Sequence, residues 1–368
     1  MFRQYKLKAY NFKLIIFVIL LSCIGYFAIG SAKESVQEKQ LYGIIAGILL
    51  MIVISLIDYS VILYFHWFIY VINIVLLVAV LIFGNEINGS KRWIEIGFQF
   101  QPSELAKILL ILFFSQFIMK NKEKLNSVKI LGLSVILLGI PIALVYKEPD
   151  LSTTIMIVIT FCAMLFIGGL SYKIVIGALC AIIPVGIAFF TIIMQPDQVI
   201  LEGYQINRIL AWLQPEKYAD STAYQQLNSI TAIGSGQLFG KGLNNNVIAS
   251  VKNGNFISEP QTDFIYAVIG EELGFAGAVA VIALLILVVV ECLKIARNSK
   301  DTAGAIIATG LASLICLQGF MNISVATGLL PNTGIPLPFV SYGLTSLMSL
   351  YIGIGVVLNI GLQAKKYK

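Results

Sequence analysis

The stretch Leu273-Gly-Phe-Ala-Gly-Ala-Val-Ala-Val-Ile-Ala-Leu-Leu-Ile-Leu-Val-Val-Val290 carries no charge over eighteen residues. A segment of that length and polarity crosses the ~30 Å hydrocarbon core of a bilayer as a helix. It lies inside an apolar run from 263 to 293, long enough to tilt or to project from the membrane. Working outward, similar runs fall at about 14–31, 41–57, 61–84, 103–119, 129–146, 151–169, 173–194, 303–327 and 341–362. The first lacks a small-residue cleavage site and is followed by more spans, so it reads as a retained helix rather than a signal peptide.

Composition agrees. The 368 residues are 58% hydrophobic and 12% charged, about half the ~25% charge of a soluble domain, and mean hydropathy is +0.89. The expected fold is therefore an all-α polytopic membrane protein of about ten transmembrane helices. Residues 1–368 form a single membrane domain, with one large loop, 195–262, between spans 7 and 8. A large soluble domain is excluded.

Orientation follows from the cations. With the N-terminus in the cytoplasm, the inside segments hold fifteen Lys and Arg against four acids, Asp58, Glu123, Glu291 and Asp301. The outside segments hold nine cations and twelve acids. That asymmetry places both termini inside and the large loop outside. The net charge of +6 is thus an orientation signal and gives no basis for nucleic-acid binding, which needs a clustered basic patch. The five cysteines stand singly in apolar runs, which argues against disulfides or a zinc site. The lone histidine, His66, sits among Tyr64, Phe65, Trp67 and Phe68 and reads as a packing or interfacial residue.

Segments rich in Gly, Pro and acids all fall on the outer side, at 84–102, 147–150, 195–262 and 328–340. Apolar residues throughout 195–262, among them Leu210, Trp212 and Phe239, suit a loop folded onto the membrane. Four features there could carry chemistry.

In the first, Arg92-Trp93-Ile-Glu-Ile-Gly-Phe-Gln-Phe100 alternates with period two and predicts a short interfacial hairpin. It leads into Gln101-Pro102-Ser103-Glu104-Leu-Ala-Lys107. That start is readable as Pro at the first helical position with an acid in the first turn. It is equally readable as a buried Glu104–Lys107 pair, three apart on one face, lining a cavity. Charges within spans are costly and usually functional.

The second, Gly234-Ser-Gly236-Gln-Leu-Phe-Gly240-Lys241-Gly242, lacks the spacing and the preceding strand of a nucleotide loop. It suits either close backbone approach to a phosphate or a flexible turn. In the third, Glu259-Pro-Gln261-Thr262-Asp263-Phe264 precedes the eighth run, with Glu271 and Glu272 two turns further on. Spacing leaves Asp263 open between helix N-cap and a carboxylate able to take a proton from a hydroxyl. A lone well-placed carboxylate fits displacement of a good leaving group better than a two-carboxylate glycosidase. The fourth, Gly328 through Gly343, holds three prolines beside a span and cannot continue a helix. Irregular backbone at that depth is tolerated inside protein or beside a water-filled cavity, so it is expected to be a cavity wall.

Together, Arg92-Trp93-Ile, Gln101-Pro-Ser-Glu104-x-x-Lys107, Pro149-Asp150-Leu, Ala232-Ile-Gly-Ser-Gly236, Thr262-Asp263-Phe-Ile and Leu-Pro338-Phe-Val-Ser341-Tyr342-Gly resemble the SEDS family (shape, elongation, division and sporulation) of RodA- and FtsW-like proteins. The match runs from about Arg92 to the last span. Three positions depart from the commonest pattern: Ser258 where Pro is frequent, Gln261 where His is frequent, and Leu344-Thr345 where Gly-Ser is frequent. Gln261 excludes a proton-shuttling imidazole there.

The resemblance implies a peptidoglycan glycosyltransferase of the bacterial cytoplasmic membrane. It would polymerise lipid II at the outer face and work with a class B penicillin-binding transpeptidase. The family's essential aspartate maps onto Asp263. On this reading Asp263 is the general base in an inverting transfer, and undecaprenyl pyrophosphate leaves. Lys107 and Arg208 are the first candidates to meet its charge, with Arg92 and Lys241 behind them and Glu104, Gln261 and Ser341 as further binding residues. No preformed metal cage is visible, so a divalent cation, Mg or Mn, would be held mainly by the pyrophosphate. Two rivals remain: a flippase for the same lipid, which should show internal repeats and charges through the full depth, and a noncatalytic scaffold for the transpeptidase, in which Asp263 is a cap.

Overall fold

A computed structural model describes residues 10–87, 90–95, 97, 99–193, 203–244 and 256–363. Fourteen helices are assigned among them. The first four are α1 (Phe12–Ala32), α2 (Gln37–Leu56), α3 (Tyr59–Tyr64) and α4 (His66–Phe83). A small sheet follows, then α5 (Pro102–Lys120), α6 (Val128–Lys147), α7 (Leu151–Gly168) and α8 (Tyr172–Ile193). Two short helices, α9 (Gly203–Leu213) and α10 (Tyr224–Ser235), occupy the segment expected as a loop. The chain closes with α11 (Ile265–Glu272), α12 (Gly274–Arg297), α13 (Thr302–Ala326) and α14 (Leu344–Leu362).

Among the described residues nine helices are long and apolar enough to cross a membrane. A further one, α8, covers the seventh expected run with 22 residues, ~33 Å at 1.5 Å per residue. The protein is thus a multi-pass, all-α membrane protein. Residues 195–202 and 245–255 of the large loop, Met194 at the end of the seventh run, and Ile96 and Phe98 of the alternating stretch lie outside the described residues. The rest of that stretch folds as an antiparallel sheet of β1 (Asn85–Ile87), β2 (Ser90–Glu95) and β3 (Gln99–Phe100), with Trp93 opposite Asn85 and Ile94 opposite Phe100.

Local signals start the helices. Asn11 Oδ1, Ser127 Oγ, Asp150 Oδ1 and Asp301 Oδ1 accept from the amides of Leu14, Ile130, Thr153 and Gly304, capping α1, α6, α7 and α13. Such caps satisfy amides that have no partner within the helix. Pro102 opens α5, with Glu104 in its first turn. Helices α5, α13 and α14 form the centre, with 78%, 67% and 83% of their spanning windows buried, whereas α4 and α6, at 28%, keep most of their surface for lipid.

Both described chain ends lie at the end of the bundle away from Asp263. Asn11 donates to Glu291 Oε2 near the close of α12 (2.8 Å). At the other terminus Gln363 Nε2 donates to Asn359 Oδ1 (2.9 Å), and Asn359 Nδ2 to the Ser55 carbonyl (2.8 Å).

Two long runs are broken. The run 61–84 divides at Phe65 into α3 and α4. The run 263–293 is not one tilted helix, because it divides at Leu273, where Gly274 has φ +65°. The glycine-rich stretch closes this second break. Lys241 and Gly242 donate their amides to the Glu271 and Glu272 carbonyls (3.0 and 2.9 Å), and Phe275 and Ala276 donate to Gln237 and Leu238 (2.8 and 3.1 Å). Peptide groups freed at a break need partners inside the protein, and here another backbone supplies them. Close approach therefore serves this joint, and neither a phosphate nor a flexible turn is required to explain the glycines.

A Cβ on Gly236 would lie 1.9 Å from the Gly270 carbonyl oxygen, whereas one on Gly234 meets nothing within 4 Å. G236A is expected to destabilise the protein by about 1–3 kcal/mol, and G234A, in a helix, to be neutral or stabilising by up to ~1 kcal/mol. Melting curves of the two purified variants check this, and equal midpoints would refute the tight joint.

Candidate active site

Asp263 sits on the turn leading into α11, one residue before the N-cap position, which is held by Phe264 without any side-chain cap bond. The cap reading of Asp263 therefore fails. What fixes it is its backbone. Its carbonyl accepts from Asn322 Nδ2 on α13 at 2.8 Å, and the same amide nitrogen donates to the Ile335 carbonyl at 2.8 Å. One side chain thereby ties the Asp263 turn to the proline-rich segment 328–343.

That segment wraps the turn closely. The Tyr342 amide donates to the Gln261 carbonyl (2.8 Å). Ser341 Oγ donates to the Thr262 carbonyl (2.6 Å) while accepting from the Leu337 amide (2.7 Å). Gly334 has φ +70°, and a Cβ there would come within 3.6 Å of Asp263 Oδ2. The backbone of this segment thus runs beside the carboxylate. From the other side, α9 and α10 hold the same segment. Trp212 Nε1 donates to the Gly328 carbonyl (3.0 Å), Arg208 Nη1 to Asn332 (3.3 Å), and Gln226 Nε2 to Val325 and Leu330 (2.8 and 2.7 Å).

Charge converges on Asp263. Its side chain keeps partial exposure within this ring of neighbours. Burial pushes the carboxyl up to about 6, with Glu259 adding to the rise, while the Arg208 and Arg92 guanidiniums oppose it. A carboxylate held near neutrality between two cations is suited to accept a proton. Arg92 itself is fastened to backbone, donating Nε to the Glu148 carbonyl (2.9 Å) and Nη2 to that of Pro149. Asp150 caps α7, accepting also from Thr153 Oγ1 (2.9 Å), and Ser152 Oγ donates to the Thr333 carbonyl (3.2 Å).

The remaining candidates have other placements. Glu104 and Lys107 form the expected pair at 2.7 Å, both buried. Lys107 faces a narrow cavity among Leu110, Phe114, Ile157, Thr160 and Leu314, between α5, α7 and α13. It is not among the charges acting on Asp263. Lys241 is committed to Glu271 at 2.8 Å, beside the helix break. The Ser341 hydroxyl is occupied on both sides by backbone, and Gln261 is buried with its amide turned onto Glu259. For these three, the bonds described run to the protein's own backbone and side chains.

Three residues have no role among the expectations from sequence. Asn322 stands unremarked in an apolar helix. Glu259 is paired with Lys33 at 3.0 Å. Glu148 looked like one more loop charge between Lys147 and Asp150, yet it is fully buried. Among the described residues no three His, Cys, Asp or Glu side chains converge as a metal cage.

The departures from the expected pattern are used by the fold. Ser258 accepts from Gln225, and Thr345 Oγ1 joins the Gln101 amide and the Gln99 carbonyl at 3.2 Å each, fastening α14 to the strand before α5.

Comparison with known proteins agrees with this architecture. The family model for cell cycle proteins of the FtsW, RodA and SpoVE type matches residues 5–366. The peptidoglycan glycosyltransferase MrdB of Escherichia coli K12 is 35% identical over 360 residues, covering 95% of this chain and 93% of that one. The probable peptidoglycan glycosyltransferase FtsW of Bacillus subtilis 168 is 32% identical over 380 residues, covering 98% and 92%. A chain from a solved peptidoglycan synthase complex that coordinates polymerization and crosslinking superposes with TM-score 0.79 at 25% identity, covering 96% of this chain and 97% of that one. The chain belongs to the FtsW, RodA and SpoVE family of cell cycle proteins.

Proposed function

We propose that this protein is a peptidoglycan glycosyltransferase that polymerises lipid II into β-1,4 glycan strands, with Asp263 as its general base. The observation that carries the reading is the Asp263 carboxyl, partly exposed, released from capping and within the electrostatic reach of Arg92 and Arg208. The sugar 4-hydroxyl of one lipid-linked disaccharide passes its proton to Asp263 as its oxygen attacks the anomeric carbon of the donor. The α-linked bond to pyrophosphate breaks on the opposite face, giving the inverted β-linkage. Charge develops on the departing undecaprenyl pyrophosphate, and preorganised cations at that point lower the barrier. Arg208 and Arg92 stand nearest that role. Lys107, buried against Glu104 on α5, is the further candidate to meet that charge. A divalent cation, Mg²⁺ or Mn²⁺, would travel with the pyrophosphate.

The protein sits in the bacterial cytoplasmic membrane with the Asp263 end outside and both chain ends in the cytoplasm, an orientation that the cation bias supports. There the prenyl tail stays in lipid while the sugars reach water. Its partner is a class B penicillin-binding transpeptidase, in keeping with a structural neighbour drawn from a complex that coordinates polymerization and crosslinking.

D263N keeps the size of the side chain and removes the base. Purified D263N should fold like the parent and lose at least about a hundredfold in polymerisation of labelled lipid II; undiminished polymer rejects the base assignment. For the parent, activity should rise with pH through about 6, because the base must be ionised. A raised carboxyl also means that the native state binds more protons than the unfolded chain, so this group's stabilisation is lost as pH climbs from ~4 to about 6. D263N should therefore melt above the parent at pH 8, with the gap closing below pH ~4. A midpoint unchanged at both pH values would count against the raised carboxyl.

A further inference from the structure

Glu148 is the one fully buried carboxyl at the Asp263 end whose two oxygens, among the described residues, both lack a hydrogen-bond partner. It lies just past the end of α6, two residues before Asp150, the cap of α7. The cation beside it is Arg92, which bonds to the Glu148 and Pro149 carbonyls rather than to the Glu148 carboxyl. The anion beside it is Asp150, whose oxygens are engaged by Thr153. A buried carboxylate next to a guanidinium ordinarily closes a bidentate pair with it. This one does not. An unpaired carboxylate is costly to bury, and the group neutralises instead.

The arrangement has a consequence for Arg92. Backbone carbonyls hold its guanidinium in place without cancelling its charge. A charged Glu148 would cancel it and would set a second anion beside Asp150.

We propose that Glu148 is a positioning residue for the transfer reaction: as an uncharged carboxyl it fills the turn that seats Arg92 and leaves that guanidinium's charge directed to Asp263 and the departing pyrophosphate. This deepens the glycosyltransferase reading and rests on it for its effect on turnover, but the uncharged state of Glu148 is testable without turnover. The groups facing Glu148 are Arg92 from β2 and Asp150 from the start of α7. Desolvation raises the carboxyl to about 9, with Asp150 adding to the rise and Arg92 opposing it.

The sign follows directly. A carboxyl raised in the native state stabilises the fold at low pH, and the stabilisation is lost as pH rises from ~4.5 towards about 9. The test measures the melting midpoint of the purified full-length protein between pH 5 and 9, for the parent, E148Q, R92Q and the double variant. E148Q carries a neutral amide of the same shape. It should flatten the decline seen in the parent and melt higher at pH 8, a change that a merely space-filling residue would not produce. In parallel, lipid II polymerisation by E148Q should stay within about threefold of the parent at pH 7.5 and lack the parent's alkaline fall. On an R92Q background the activity difference between Glu and Gln at 148 should vanish.

Parallel melting curves for parent and E148Q, or a loss above tenfold at pH 7.5 in E148Q that still melts normally, overturn the proposal. If no variant polymerises lipid II while the melting curves separate as described, the glycosyltransferase reading fails and the uncharged state of Glu148 stands.

Discussion

The Asn322 side chain donates to two carbonyls from distant parts of the chain, Asp263 and Ile335, and the arrangement of the site depends on that bridge. Irregular backbone inside a membrane protein persists only when its peptide groups are satisfied by the protein. Segment 328–343 has no helix or sheet of its own, and it is held by Asn322, Gln318, Gln226, Ser229, Trp212 and Ser341 acting on its carbonyls and amides or on those at its borders. Buried polar networks of this kind are strong when complete and costly when broken. Asp263 inherits its placement from them.

The same logic explains why one acid is available for chemistry while others are not. Glu271, Glu272, Glu104 and Asp150 are each engaged, with Lys241, Ser31, Lys107 and Thr153. Glu259 reaches Lys33 at the surface. Asp263, by contrast, feels the Arg208 and Arg92 guanidiniums, of which Arg92 bonds to the Glu148 and Pro149 carbonyls and Arg208 reaches the Asn332 carbonyl. Nearby positive charge of this kind favours the ionised form that accepts a proton.

Much of this was legible in the residues. The spans, the alternating stretch that became β1–β3 and the Glu104–Lys107 pair follow from hydropathy, period and spacing, which are local properties, whereas Asp263 stands out from a helix cap only through the family resemblance. What stayed hidden is long-range. No pattern around Leu273 announces that the run from 263 to 293 is two helices, because the partner that closes the break lies thirty residues upstream at Gln237–Gly242. Lys241 read as a free cation until Glu271 was brought beside it. The bond from Ser341 to the Thr262 carbonyl joins residues 79 apart, and no local motif announces it. Asn322 and Glu148 carried no signal at all, since one polar residue in an apolar helix and one charge in a polar turn are each unremarkable.

The fastening of Arg92 to main-chain oxygens has an evolutionary corollary. Every amino acid supplies the same carbonyl, so drift at positions 148 and 149 cannot strip the arginine of its acceptors. Adding or deleting a residue between α6 and α7 would, because it alters the path of the chain. The arginine's anchorage therefore depends on the length of that connection, separately from whatever the side chains at 148 to 150 do.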